Sequence, residues 1–158
     1  MDVLSIVGSL ASLWGAWYAW NQAKKSQLAA NLAERIKSQL IHHRDIENLS
    51  KLEPLSKTSI STMRKYAVQS ISELSGLSPQ VDADHVQEYI NEVYALSDFF
   101  PDKKSENLYK KVNTLIQEFV NTNQNQERKK IGNEIHNELV AFSLVFNKIR
   151  KTYQNKTE

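Results

Sequence analysis

The chain has 158 residues, a net charge of +2 and no cysteine. That charge is too mild for a protein that lives on duplex DNA, where affinity rests on many phosphate contacts, and a length of 158 residues leaves room for one small domain beside an anchor. Four glycines and three prolines argue against a loop-rich or β-rich fold, and the absence of cysteine suits a reducing compartment.

The first element is Val3 to Trp20, VLSIVGSLASLWGAWYAW, eighteen consecutive residues without a charge. As a helix it covers about 27 Å, close to the hydrocarbon thickness of a bilayer. Trp14, Trp17, Tyr18 and Trp20 crowd its C-terminal end, followed by Asn21, Gln22, Lys24 and Lys25. Amphipathic rings, then amides, then cations is the order a membrane interface selects. A signal peptide would place cations before the apolar run and small residues after it; here only Asp2 precedes it. The segment reads as a single transmembrane anchor spanning residues 1–23. Only six of its eighteen residues are Val, Leu or Ile, worth roughly −2 to −4 kcal/mol in total, so insertion of one isolated helix is marginal. Gly8, Ser12 and Ala16 recur every four residues and offer a smooth face on which anchors can approach one another. The cations all follow the anchor, which places the N-terminus outside and the remainder in the cytoplasm of an inner (plasma) membrane protein. Since Asp2 is the only charged residue before Lys24, that remainder carries +3.

Residues 24–50 contain neither glycine nor proline and continue the helix as a stalk. Leu28, Leu32, Ile36 and Leu40 form a narrow apolar seam, which Ile46 and Leu49 extend. Residues 51–158 form the cytosolic domain. Pro54 is expected to break the stalk, with Ser56 or Thr58 capping a helix that runs to Leu74 and stops before Gly76. Its apolar positions are Ile60, Met63, Ala67, Ile71 and Leu74. Ser78-Pro79 is a turn, and Asp82 or Asp84 caps a helix with Val86, Tyr89, Ile90, Val93, Leu96 and Phe100 on one face. Pro101-Asp102 stops it, and Ser105 opens a helix carrying Leu108, Val112, Leu115, Ile116 and Phe119. NTNQNQ, residues 121–126, is a loop. The last helix, from about Glu127 to Tyr153, carries Ile131, Ile135, Leu139, Phe142, Val145, Phe146 and Ile149. Its centre, LVAFSLVF, is too short to span a bilayer and reads as the most buried helix of the domain. The fold class is therefore all-α: an anchor and stalk followed by a small helical bundle.

Residues that carry chemistry are scarce. There is no Gly-rich phosphate loop, no Gly-x-Ser-x-Gly and no His-Glu-x-x-His. His42 and His43 are adjacent and point about 100° apart on a helix, which does not suit a shared metal. No catalytic residue, cofactor or metal is expected. The cations fall in clusters: Lys57, Arg64 and Lys65 beside Tyr66; Lys103, Lys104, Lys110 and Lys111 around Tyr109; and Arg128, Lys129 and Lys130. Repeated about a symmetry axis, a few cations per subunit make a strong anion site. Tyr66, Tyr94 and Tyr109 offer faces on which a base could stack.

Two resemblances follow. Arg35 and His42, separated by six residues, are similar to the Arg-x(4–6)-His pair of all-α HEPN ribonucleases, although Ile36 stands where that family usually places a polar residue. MDVLSIVGSLASLWGAWYAWNQAKK, joined to a small helical domain, resembles the membrane-associated ancillary effectors of type III CRISPR antiviral defence. That likeness implies an oligomeric cytosolic domain, expected as a homo-oligomer and in particular a tetramer, that binds cyclic tetra-adenylate and responds at the membrane. On this reading the chain is a non-enzymatic membrane effector whose ligand is a cyclic oligoadenylate, with Arg64 and Lys65 foremost among its binding residues. The alternatives are a membrane-tethered scaffold that recruits a protein partner, and a HEPN-type ribonuclease.

Overall fold

The computed structural model describes residues 3–68 and 77–155, with side chains from residue 14 onward. All regular structure among these residues is helical. Helix α1 spans Val3–Val68, α2 Pro79–Ala95, α3 Lys104–Asn121 and α4 Asn125–Asn155, with two short 3-10 turns, Ser97–Phe99 and Pro101–Lys103, between α2 and α3. The chain divides into two units, Met1–His43 and Arg44–Glu158.

In the first unit, the side chains of Trp14, Trp17, Tyr18 and Trp20 are exposed, as are those of Leu28, Leu32, Ile36 and Leu40. Lys24 places its ammonium 4.3 Å from the centre of the Trp20 ring, a cation–π contact at the belt of aromatic residues. Among the described residues, no helix is long and apolar enough to cross a membrane. The side chains of residues 3–13, which hold the most apolar part of the expected anchor, lie outside the described residues.

The second unit is built from the C-terminal part of α1 together with α2, α3 and α4. Its core takes Leu49, Leu52, Met63 and Tyr66 from α1, Val86, Tyr89, Ile90 and Val93 from α2, Val112 and Phe119 from α3, and Ile135, Leu139 and Phe146 from α4. The helical spacing of apolar residues in α2, α3 and α4 predicts most of these positions.

Three local expectations are corrected. Pro54 does not end a helix; it lies inside α1. A proline in a helix forfeits one hydrogen bond and costs about 3 kcal/mol, but Leu49 and Leu52 before it and Met63 and Tyr66 after it are fully buried on the same core. Glu53 and Lys57 pair at 2.7 Å across it. Burial on both sides outweighs the local cost. Ser56 is accordingly buried instead of capping a helix, and Thr58 is exposed within α1. Leu74 and Gly76 lie outside the described residues. At α2 the cap is Ser78, with Pro79 in the first turn and no side-chain capping bond. Asp82 is drawn into the protein, only 5% exposed. Finally, LVAFSLVF is not buried all round. Leu139, Phe142 and Phe146 face the core, but Leu144 is 69% exposed and Val140 37%.

The turn between α2 and α3 places Asp102 and Lys103 consecutively at positive φ, 59° and 54°. Left-handed backbone is costly for residues with a Cβ, aspartate being among the more tolerant. The turn sets the start of α3 and with it the position of Lys104.

Candidate functional site

The first cationic cluster lies on the C-terminal part of α1. Lys57 is exposed and holds Glu53 at 2.7 Å; Arg150 of α4 also bonds the Glu53 carboxylate. The Lys57 hydrogen bond, and then the Arg150 charge, keep the Glu53 carboxyl below its ordinary pKa. Lys65 donates to Asp82 Oδ1 at 2.9 Å, and the Tyr66 hydroxyl donates to Asp82 Oδ2 at 2.6 Å. Burial and the bond to Asp82 together push the Tyr66 hydroxyl far above its ordinary pKa. Tyr66 is completely buried and stands edge-on to Phe119, with ring centres 4.8 Å apart at 88°. Its expected role as a stacking face is therefore corrected: the ring is a core element that aims its hydroxyl at a buried carboxylate. Arg64 is exposed and, among the described residues, forms no salt bridge.

The second cluster surrounds the start of α3. Lys103 and Lys104 are exposed, as is Lys110. Lys111 reaches α4, with Glu138 at 2.7 Å and Glu134 at 3.8 Å. The hydrogen bond to Glu138 raises the Lys111 pKa. Beside this bridge a groove of about 260 Å³ opens between α3 and α4, lined by Lys104, Asn107, Leu108, Lys111, Glu138, Ala141, Phe142 and Val145. It has an apolar floor and a mixed, mainly basic rim. Tyr94 and Tyr109 pair with ring centres 4.8 Å apart; Tyr94 is 48% exposed, so these tyrosines, unlike Tyr66, present an aromatic surface.

The third cluster is structural at its first member. Arg128 donates to the carbonyls of Phe119 and Thr122 and, at 3.3 Å, to Asn125 Oδ1. A cation there satisfies the open carbonyls at the end of α3 and complements its dipole. A basic triplet following a polar loop carries no sequence signal for such a cap, and this role was not legible beforehand.

Of the expected contact face between anchors, the surroundings of Gly8 and the side chain of Ser12 lie outside what the structure describes, and Ala16 is exposed. Arg35 and His42 stand on the same helix, about 10 Å apart along its axis. Arg35 is exposed beside Asn31, Glu34 and Ser38. Among the described residues, no group of three or more His, Cys, Asp or Glu side chains could hold a metal ion. No protein-family model, curated protein or solved structure matches the chain.

Proposed function

We propose that this chain is a single-span membrane effector of antiviral defence, with its N-terminus outside and its helical bundle in the cytoplasm. The bundle binds an anionic second messenger of the cyclic oligoadenylate class, and that binding alters how the anchors pack. The observation that carries this reading is the order at the end of the uncharged stretch, where the exposed rings of Trp14, Trp17, Tyr18 and Trp20 are followed by Lys24, whose ammonium lies 4.3 Å from the centre of the Trp20 ring, the order a membrane interface selects. Ligand free energy reaches the membrane only as a difference in affinity between two arrangements of the assembly. Arg64, Lys103, Lys104 and Lys110 are the candidate cations not already matched by a carboxylate among the described residues. Tyr94 and Tyr109 supply the aromatic surface.

A second reading, a membrane-tethered scaffold for a protein partner, is favoured by one observation. Lys57, Lys65 and Lys111 are each engaged by a carboxylate of the same chain, so the field available to a multiply charged anion is smaller than the sequence count suggests. Calorimetry on the full chain in lipid nanodiscs, titrated with cyclic tetra-adenylate, separates the two. Saturable binding that weakens in Arg64→Ala or Lys104→Ala supports the effector. No heat at any accessible concentration removes the nucleotide and leaves the scaffold.

A further inference from the structure

We infer that the outward strip of α4 docks on an anionic lipid surface. At about 100° per residue, Lys130, Val140, Ala141, Leu144, Lys148 and Lys151 fall within an arc of about 100° around this helix, and all six are exposed. The arc is apolar in its middle, where Leu144 is 69% and Val140 37% exposed, and basic at both ends. Lys130 and Lys148 are eighteen residues apart, which is about five turns, so they project in one direction about 27 Å from each other. Between Lys130 and Lys151 the other residues of the arc, Asn133 and Asn137, are exposed and uncharged. Glu134 borders the arc on the α3 side, where Lys111 lies 3.8 Å from it and 2.7 Å from Glu138. Lys130, Lys148 and Lys151 form no salt bridge among the described residues.

The pattern selects the occupant. Cations at both ends of an apolar patch, with no carboxylate between them, repel a second copy of the same strip and complement a surface that is negative throughout. Lysine suits such a surface: its flexible apolar stem lies along the strip while the ammonium reaches a headgroup phosphate. Leu144 and Val140 then enter the boundary between headgroups and acyl chains. The patch is also small. One leucine, one valine and one alanine fall far short of the roughly 800 Å² per partner that a stable complex between proteins buries. A bilayer demands less of a chain already anchored in it, because docking is then intramolecular and a marginal contact suffices. On this point the inference rests on the anchor proposed above. None of the three lysines is among the ligand cations proposed there, so docking and ligand binding are separable.

The chain has no cysteine, so Leu144→Cys gives the full-length protein a single attachment point for an environment-sensitive fluorophore. Glu88→Cys, exposed on α2, is the control. The probe at position 144 should emit more brightly and further to the blue in phosphatidylcholine vesicles holding about 30% phosphatidylglycerol, whose surface is negative, than in vesicles of phosphatidylcholine alone. Salt at about 1 M, where screening acts within about 3 Å, should abolish the difference. Adding Lys148→Gln and Lys151→Gln should weaken docking about fivefold per charge removed, with thermal unfolding showing that the variants remain folded. The probe at position 88 should give the same emission in both kinds of vesicle.

Identical emission from position 144 in the two kinds of vesicle would overturn the docking and leave the strip to an acidic protein partner. A response equal to that at position 88, or one that survives both high salt and the lysine substitutions, would overturn it as well. Flotation with the pure phosphatidylcholine vesicles reads the anchor separately. Protein that floats but carries a silent probe has lost only the docking, whereas protein that fails to float there overturns the anchor.

Discussion

Tyr66 and Asp82 meet in the interior of the bundle, the phenol donating to the carboxylate at 2.6 Å while Lys65 holds the other oxygen at 2.9 Å. Asp82 is 5% exposed, and a buried charge persists only with partners. The contact joins the end of α1 to the start of α2, on either side of a segment outside the described residues. Asp82→Ala should cost about 1–3 kcal/mol, because it leaves a buried hydroxyl and a half-buried ammonium without an acceptor. Urea denaturation measures this. In a double-mutant cycle with Tyr66→Phe the two losses should be strongly non-additive; strict additivity would show that the pair does not act as a unit.

Gly132 of α4 lies against the same tyrosine. A Cβ there would come within 2.6 Å of Tyr66 Cβ, 2.8 Å of Cγ and 3.1 Å of Phe119 Cε2. Alanine is the better helix former by about 1 kcal/mol, but overpacking of this kind costs about 1–3 kcal/mol, and the obstructing atoms sit close to the backbone and cannot swing aside. Gly132→Ala should therefore lower the melting temperature despite its helix propensity. Gly15, with nothing within 4 Å of its would-be Cβ, is the control on the same scale. A rise in melting temperature for Gly132→Ala would mean that α4 can shift away from α1 without cost.

These two relationships mark where reading the sequence stops working. The 3.6-residue periodicity of α2, α3 and α4 names Val86, Ile90, Val112, Phe119, Ile135 and Phe146 as core, because an amphipathic helix declares its buried face. Long-range partners leave no such trace. Asp82, the first acidic residue after a proline turn, looks like a cap, and its actual acceptor role depends on where Tyr66 arrives from another helix. Pro54 looks like a break because local cost is visible in the sequence while the compensating burial of Leu49, Leu52, Met63 and Tyr66 is not. The cationic clusters were legible as clusters. Which cations are already matched was not: Lys65 and Lys111 are held by carboxylates of other helices, Asp82 and Glu138, 17 and 27 residues away in sequence.

Tyr89 gives a pH dependence of definite sign. It is fully buried, and its hydroxyl lacks a hydrogen bond of normal geometry, with Ser56 as its polar neighbour. Burial pushes its pKa up to about 12, the Ser56 hydroxyl opposing the shift weakly. An unfolded tyrosine releases its proton near pH 10 while the native one retains it, so the native state binds more protons above that point. Stability is fully present below about pH 10 and falls as pH rises towards about 12, by up to roughly 1.4 kcal/mol per pH unit from this group. Tyr66 adds to the fall in the same direction. Tyr89→Phe should be nearly neutral at pH 7, since it removes an unpaired buried hydroxyl, and should flatten the alkaline decline relative to the parent. Denaturation curves from pH 8 to pH 11.5 would reveal the difference; parallel declines in parent and variant would mean that Tyr89 ionises as freely in the native state as in the unfolded chain.

The membrane reading makes a prediction that does not involve the ligand. Asp2 is the only charged side chain before the uncharged stretch, whereas Lys24, Lys25, Arg35, Lys37 and Arg44 follow it, and such an asymmetry orients a span with its cationic flank in the cytoplasm. The belt of Trp14, Trp17, Tyr18 and Trp20 would then sit at the cytoplasmic headgroups, where the Lys24–Trp20 contact at 4.3 Å places a cation beside anionic lipid. A reporter active only in the periplasm, fused after Glu158, should be silent, while one fused before Met1 should be active. The protein should resist extraction by alkaline carbonate, and Leu10→Arg should release it, since an arginine at the centre of a span costs about 2.5–3.5 kcal/mol, comparable with the whole apolar gain of this anchor. A soluble parent protein, or periplasmic activity of the C-terminal fusion, would overturn the anchor or its orientation respectively.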